Sequence, residues 1–464
     1  MCIISAAVVP HPPLIIPEIG RGQEMEINQT ITAYRKAAHF MIKEKPETFV
    51  VLSPHSIMYG DYFHISPGSK ARGNFARFDA AEVVFEVKYD TRFIEELSRL
   101  ADKSGLPAGT YGEKDKRLDH GVMVPLYFIQ HAYDGEINAE FIRIGMSGLP
   151  YSEHYRLGML ISETADKLNR KTVIVASGDL SHRLKKDGPY GYKPEGPVYD
   201  EKIMSIMERG SFGELFDLDE TFCEIAGECG HRAFITLAGC LNGKTVSPEK
   251  LSYEGPFGVG YGLCTFSPIG HDENRFFLDK YNNMQVELLN IIRQNEDEYV
   301  RLARQAVEAY VLRDEIIKIP DNLSSEMMVK KSGVFVSLKK HNQLRGCIGT
   351  ITATTKNLAQ EIINNAVNAA SRDTRFSPVK KDELKELVYS IDVLGDAENI
   401  ESEKELDVLR YGVIVTSGSL RGLLLPNLDG VDTVEQQIEI ARRKSGIRPN
   451  DKIKLQRFEV VRHY

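Results

Sequence analysis

His11 and His55 each directly follow a proline at the end of an apolar run, Ile3–Val9 and Phe49–Leu52. Proline fixes φ, so rigid turns hold both imidazoles at one rim. Asp119-His120-Gly121, Asp179-Leu180-Ser181-His182 and Gly227-Glu228-Cys229-Gly230-His231 fall at similar boundaries. Any one of these histidines alone reads as a structural hydrogen-bonding residue; together they suggest a metal centre. Two neutral imidazoles and one carboxylate on a face of an octahedron leave open positions, which suits Fe(II) that must bind both an organic ligand and O₂. Imidazoles that are not ligands can move protons, because their pKa lies near neutrality. Asp179 is placed either to fix an imidazole tautomer or to cap a turn.

These residues need a scaffold that gathers strand ends. From residue 1 to 268 short apolar runs alternate with helical stretches, the pattern of an α/β layered domain. Ile3–Val9, Phe49–Leu52 and Thr172–Ala176 read as strands, and in open α/β sheets ligands collect beyond the carboxyl ends of strands. Helices are expected over Phe93–Lys103, Gly121–His131, Ser152–Leu168, Val198–Met207 and Gly230–Leu241, with closing strands at Lys250–Tyr253 and Gly260–Phe266. Ser267–Asn283, with Pro268, Gly270, Asp272 and Asn274, reads as a linker. A smaller α+β unit over 284–464 opens with a long amphipathic helical pattern from Met284 to Tyr310 and ends in a strand over Lys454–Val461.

The 58 Lys+Arg against 66 Asp+Glu give a net charge of −8, which offers no global basis for nucleic-acid or anionic-membrane binding. Six cysteines without a CxxC pair argue against a disulfide framework or zinc ribbon. The apolar opening lacks a basic leader, and no run is long enough to span a membrane, so a soluble, cytoplasmic protein is expected. A homodimer is expected on base rates only.

Residues 1 to about 266 resemble the class III extradiol ring-cleavage dioxygenase catalytic-subunit family, and within it the Memo-like proteins. The resemblance is carried by Pro10-His11-Pro12-Pro13, Ser53-Pro54-His55, Leu118-Asp119-His120-Gly121-Val122-Met123-Val124-Pro125-Leu126 and Ser177-Gly178-Asp179-Leu180-Ser181-His182. It implies a mixed sheet with flanking helices, Fe(II) ligated through His11 and His55 with a late glutamate, and His120 and His182 as acid and base. Glu228 is the nearest match for that glutamate and is preferred here. Cys229 matches the cysteine ligand of Memo-like proteins, and a thiolate would favour copper or another softer divalent metal. On this resemblance the substrate is a catechol-like or other chelating small molecule, used with O₂.

Residues from about 290 to 464 resemble the AMMECR domain family through Gly333-Val334-Phe335-Val336-Ser337-Leu338, Leu344-Arg345-Gly346-Cys347-Ile348-Gly349, Ser371-Arg372-Asp373-Thr374-Arg375-Phe376-Ser377-Pro378 and Leu425-Pro426. The two halves together resemble the AmmeMemoRadiSam system protein A family, which implies a radical SAM partner protein. This chain has no Cx₃Cx₂C cluster site, so radical chemistry would belong to that partner. An alternative function is therefore a metal-binding component of a modification pathway, or a metal or redox binding protein without turnover. In this half Arg345 and Arg375 are candidates for bidentate anion binding, and Cys347 beside Arg345 is a candidate thiolate; a strand with Cys347 buried is the competing reading. His341 falls in an expected exposed turn. Ala441–Ile447 is basic where many members carry a cysteine, which speaks against two-cysteine redox chemistry.

Overall fold

The computed structural model describes residues 2–133, 136–340, 343–428 and 430–464. The chain divides into two units, 1–283 and 284–464.

The first unit is built on a six-stranded sheet whose order is β7-β2-β8-β1-β10-β9, from β1 (Ile3–Val9), β2 (Thr48–Ser53), β7 (Glu140–Gly145), β8 (Thr172–Ser177), β9 (Lys244–Glu254) and β10 (Tyr261–His271). The first four in that order run parallel, and β10 and β9 close the sheet antiparallel. β2 and β8 are buried at every residue. Strands covered by helices on both faces read as continuous apolar runs, which is why they were legible. Because β2, β8 and β1 are adjacent and parallel, the turns after Ser53, Ser177 and Val9 emerge side by side, carrying His55, Asp179 and His11.

Helices Thr91–Ser104, His120–Ala132, Tyr151–Leu168, Glu195–Arg209 and His231–Cys240 form where helical periodicity places them. The linker expected over Ser267–Asn283 is not one. Ser267–His271 continues β10 against Lys244–Ser247, and a helix begins at Phe277 and runs to Asn295. The polar residues that suggested a break lie instead on a half-exposed antiparallel ribbon. Two short ladders, β3 (Phe63–His64) with β6 (Ala108–Gly109) and the hairpin β4 (Lys70–Phe75) with β5 (Ala80–Lys88), complete the unit. Every second residue of β4 faces solvent, and its charged and glycine content hid the strand from an apolar-run reading.

The second unit carries two antiparallel four-stranded sheets. One has the order β12-β11-β13-β18, from β11 (Val334–Lys340), β12 (Gln343–Gly349), β13 (Leu387–Leu394) and β18 (Val460–His463). The other has the order β14-β17-β15-β16, from β14 (Glu398–Ile400), β15 (Gly412–Ser417), β16 (Leu420–Leu424) and β17 (Lys454–Phe458). The single final strand expected over 454–461 is thus two, which pair in different sheets on either side of Glu459. The helical pattern from Met284 to Tyr310 is likewise divided. Asp297 accepts hydrogen bonds from Tyr299 N and Val300 N and starts a new helix, Glu298–Arg313. His341 lies outside the described residues. Among the described residues no helix is long and apolar enough to cross a membrane.

Candidate functional site

At the carboxyl edge of the sheet, His11 is fully buried and its ring orientation is set by a short relay. Ser177 Oγ lies 2.9 Å from His11 Nδ1 and 2.6 Å from the Gly121 carbonyl. A carbonyl only accepts, so the hydroxyl donates to Gly121 and accepts from Nδ1–H, which leaves the His11 Nε2 lone pair bare. That atom lies 2.9 Å from His55 Nε2 and 3.6 Å from Cys229 Sγ. His120 closes the group, its ring centroid 4.0 Å from that of His55. Two sets of donor atoms each converge within 4.8 Å, His11 with His55 and His120, and His11 with Asp179 and Cys229. His11 belongs to both.

Asp119 ties this cluster to its supports. Its carboxylate accepts from Ser53 Oγ and Ser56 Oγ, both at 2.6 Å, and from Val122 N at the start of the helix that begins with His120. One side chain therefore fixes the end of β2, which delivers His55, against the helix that delivers His120. On the other flank the backbones of Gly178 and Gly230 approach so closely that a Cβ on Gly178 would overlap the Gly230 Cα. This contact seats the Asp179 and Cys229 turns together.

The expectation that Glu228 is the third ligand does not fit its placement. Its carboxylate accepts from His231 N at 2.6 Å, capping the helix His231–Cys240, and it joins neither donor group among the described residues. A glutamate just before a helix is drawn to the unsatisfied first-turn N–H groups, while the next residue turns the opposite way. Cys229, not Glu228, faces His11. Of the two roles open to Asp179, the structure favours the turn. Its carboxylate accepts from the His11 backbone N at 2.8 Å and among the described residues makes no hydrogen bond to an imidazole, so it holds the His11 turn.

His182 sits beside the group, its ring centroid 5.1 Å from that of Tyr190. Its Nε2 is buried and has no hydrogen-bond partner among the described residues. Burial lowers its pKa, opposed by Asp179. Burial also lowers His120 to about 3, helped by the neighbouring His55 and His11. His11 is pushed well down by burial and then by His55, and the Cys229 thiol is pushed well up by burial, then by Asp179 and Glu228. All the imidazoles are thus neutral, the form that ligates metals.

A cavity of about 370 Å³ opens against His55 and His120. Ile57, Phe78, Leu118 and Met123 form its apolar walls, and Arg77, Arg117 and Arg143 line it as well. Sequence reasoning missed these arginines and Phe78. Arg143 carried a signal, a lone cation in the apolar strand β7. It is buried and donates to Ser66 Oγ and to the Arg117 and Asp115 carbonyls, so it shapes the loop that floors the cavity.

The loop bearing His182 is held from behind by Asp200, which accepts from Ser181 N at 2.8 Å and from the Tyr253 hydroxyl at 2.9 Å. Burial pushes the Asp200 carboxyl from 3.8 up to about 7, against those two donors. The folded chain then binds more protons than the unfolded one between these values, so this group's contribution to stability falls as pH rises through that window. Asp200→Asn, which cannot ionise, is expected to gain on the wild type by a few kcal/mol between about pH 4 and about pH 7 and to run parallel to it above. Thermal denaturation of both proteins across that range checks this; a pH-independent difference would refute it.

In the second unit the expected anion site is closed by internal pairing. Arg345 holds Glu383 through two contacts of 2.8 and 2.9 Å, and Arg375 holds Asp373 at 2.9 and 2.7 Å. Asp373 accepts from Cys347 N as well, and Ser337 Oγ donates to Cys347 Sγ at 3.3 Å. Both guanidinium forks are already occupied by carboxylates, so Arg345, Cys347 and Arg375 form a structural network in place of an open site.

The first unit has a fold of extradiol-dioxygenase type. The model of the catalytic LigB subunit of aromatic ring-opening dioxygenase matches residues 5–264, and that of AMMECR1 matches residues 300–463. The chain belongs to the LigB family and carries an AMMECR1 domain after it. It is similar to Protein CA_C1420 of Clostridium acetobutylicum, at 40% identity over 464 residues and 98% of both chains. A Thermotoga maritima protein is 44% identical over 170 residues, 36% of this chain and 98% of its own. A solved structure, uncharacterized protein PH0010 from Pyrococcus horikoshii, matches at 32% identity and a TM-score of 0.33, covering 35% of this chain and 88% of its own.

Proposed function

We propose that the first unit is a non-heme Fe(II)-dependent oxidoreductase of extradiol ring-cleavage type, acting with O₂ on a catechol-like or other chelating small molecule. The observation that carries this reading is the pair of Nε2 atoms of His11 and His55, 2.9 Å apart beside a cavity. Nitrogens about 2.05 Å from one metal in adjacent octahedral positions lie about 2.9 Å apart, so this donor set fits a metal without rearrangement. Bound Fe(II) supplies Lewis acidity toward a diol and redox chemistry toward O₂.

The chain's own residues divide the remaining work. Ile57, Phe78, Leu118 and Met123 offer apolar surface for a ring to pack against. His182 is neutral and presents an unpartnered Nε2, which suits it to accept a proton from a ligand hydroxyl. His120, with its pKa near 3, holds no spare proton at rest, so it acts as a ligand or through its single N–H.

One observation favours a second reading. Cys229 Sγ lies 3.6 Å from His11 Nε2, and a thiolate there favours copper or another soft ion and a binding or redox role, including service beside a radical SAM partner. Anaerobic reconstitution with Fe(II), followed by metal content and O₂ uptake with a panel of catechols, separates the two. Stoichiometric iron with catechol-dependent uptake and a yellow product is expected, and His55→Ala is expected to lose both. Iron without uptake would move the weight to the second reading, and no bound metal at all would remove both.

A further inference from the structure

His182, the proton acceptor of the reading above, differs from the other imidazoles of the site in what holds its ring. His11 is oriented by Ser177, and the rings of His55 and His120 lie against one another. The His182 Nε2 is buried and makes no hydrogen bond among the described residues, so that nitrogen is oriented by packing. The aromatic ring against it is Tyr190, with centroids 5.1 Å apart and planes tilted by 37°. Tyr190 is 61% exposed and is no part of the hydrophobic core of the first unit. Core packing therefore does not account for its place.

The backbone is anchored where it carries this ring. Residues 183–193 form a small hairpin, in which Leu184 and Tyr192 pair antiparallel and Lys193 N donates to the Arg183 carbonyl at 3.1 Å. At its tip Gly191 N donates to the Gly188 carbonyl at 3.2 Å, and Gly191 takes φ 73°, which glycine adopts without a steric cost. The hairpin is seated on the turn that precedes β10. Leu184 N donates to the Gly258 carbonyl at 3.1 Å, Lys185 Nζ donates to the Pro256 carbonyl at 2.6 Å, and a Cβ on Gly188 would meet the Gly258 Cα at 3.3 Å. Tyr190 thus rides on an arm fixed at base and tip. Asp200 holds the backbone of the His182 turn through Ser181 N, while Tyr190 packs on the ring itself.

We propose that Tyr190 is a positioning residue for His182, its ring holding the imidazole in one orientation and shielding it from water so that Nε2 stays free to take the proton of a ligand hydroxyl. A base held by packing in one orientation loses no time or free energy to reorientation when the ligand arrives. This rests on the ring-cleavage reading above and adds to it the residue that keeps its base in place.

The test compares the full chain as wild type, Tyr190→Ala and Tyr190→Phe in two measurements. In the first, diethyl pyrocarbonate acylates the metal-free protein, and the rate at His182 is read by peptide mass spectrometry against that at His39, which is exposed. Tyr190→Ala is expected to raise the His182 rate by about tenfold, the size of one aromatic contact, with Tyr190→Phe within about twofold of wild type. In the second, the protein is loaded anaerobically with Fe(II) and O₂ uptake is followed with catechol. Tyr190→Ala is expected to lower kcat by about tenfold, part of what a placed general base supplies, with iron content unchanged and KM little altered, and Tyr190→Phe is expected to restore kcat. An unaltered His182 rate or a full kcat in Tyr190→Ala, or an equal loss in Tyr190→Phe, would overturn the assignment and leave the ring-cleavage reading standing. If wild type shows no catechol-dependent uptake, that reading fails and the assignment with it.

Discussion

Replacing His11 with alanine is expected to abolish stoichiometric metal binding, with affinity lowered by at least about a hundredfold, beyond what loss of a supporting outer contact causes. The reason is geometric. His11 is the one residue shared by both converging donor groups, and its Nε2 faces both His55 and Cys229. Its loss removes the pair of nitrogens 2.9 Å apart. The substitution also removes the Nδ1–H that Ser177 Oγ accepts from, leaving that hydroxyl its bond to the Gly121 carbonyl, and opens a buried space, at a cost of about 1–3 kcal/mol, which a protein of this size tolerates. His120→Ala and Cys229→Ala then distinguish the two groups, since each removes a donor from only one of them. Metal analysis after dialysis is the measurement, with circular dichroism as the control for folding. Full metal content in folded His11→Ala would show that the ion sits elsewhere.

The neighbouring residues Glu228 and Cys229 are expected to give opposite results. Cys229→Ala is expected to weaken soft-metal binding and to leave thermal stability of the metal-free protein nearly unchanged. Glu228→Ala is expected to keep the metal and to destabilise the first unit by roughly 2 kcal/mol, through loss of a helix cap and exposure of buried donors. For a domain of this size that lowers the melting temperature by about 4–8 °C. The physical basis is the orientation of the two side chains. Glu228 is drawn into the His231–Cys240 helix start, whereas Cys229 exchanges contacts with Asp179, whose backbone N donates to Sγ at 3.3 Å. Metal loss in Glu228→Ala with a normal melting temperature would contradict this division.

Much of this protein was legible from local sequence. β1, β2 and β8 announce themselves as apolar runs, because strands covered on both faces can carry little else. The histidines and Asp179 were found because they follow those runs directly, and parallel neighbouring strands must release their ends at one edge. The division into an α/β unit and a smaller α+β unit followed from the same periodicities. Five helix interiors of the first unit were also legible, whereas the helix Asn28–Ile42 was not expected and the pattern from Met284 to Tyr310 breaks at Asp297, whose side chain caps a new helix.

What sequence could not decide was which way a side chain turns and which partner it finds. Glu228 and Cys229 are adjacent and chemically plausible alike; the helix start claims one and the other faces His11. Arg345 and Arg375 read as open anion binders, and the fold closes both on Glu383 and Asp373. Arg77 had no local signature at all, yet the β4–β5 hairpin places it in the lining of the cavity. The sequence by itself determined the sheet, its site edge and the histidines there, because these follow from hydrophobic burial along single segments. Only the tertiary structure decided which side chains converge on His11 and which close on one another, because charge pairing and hydrogen-bond satisfaction are settled between segments distant in the chain.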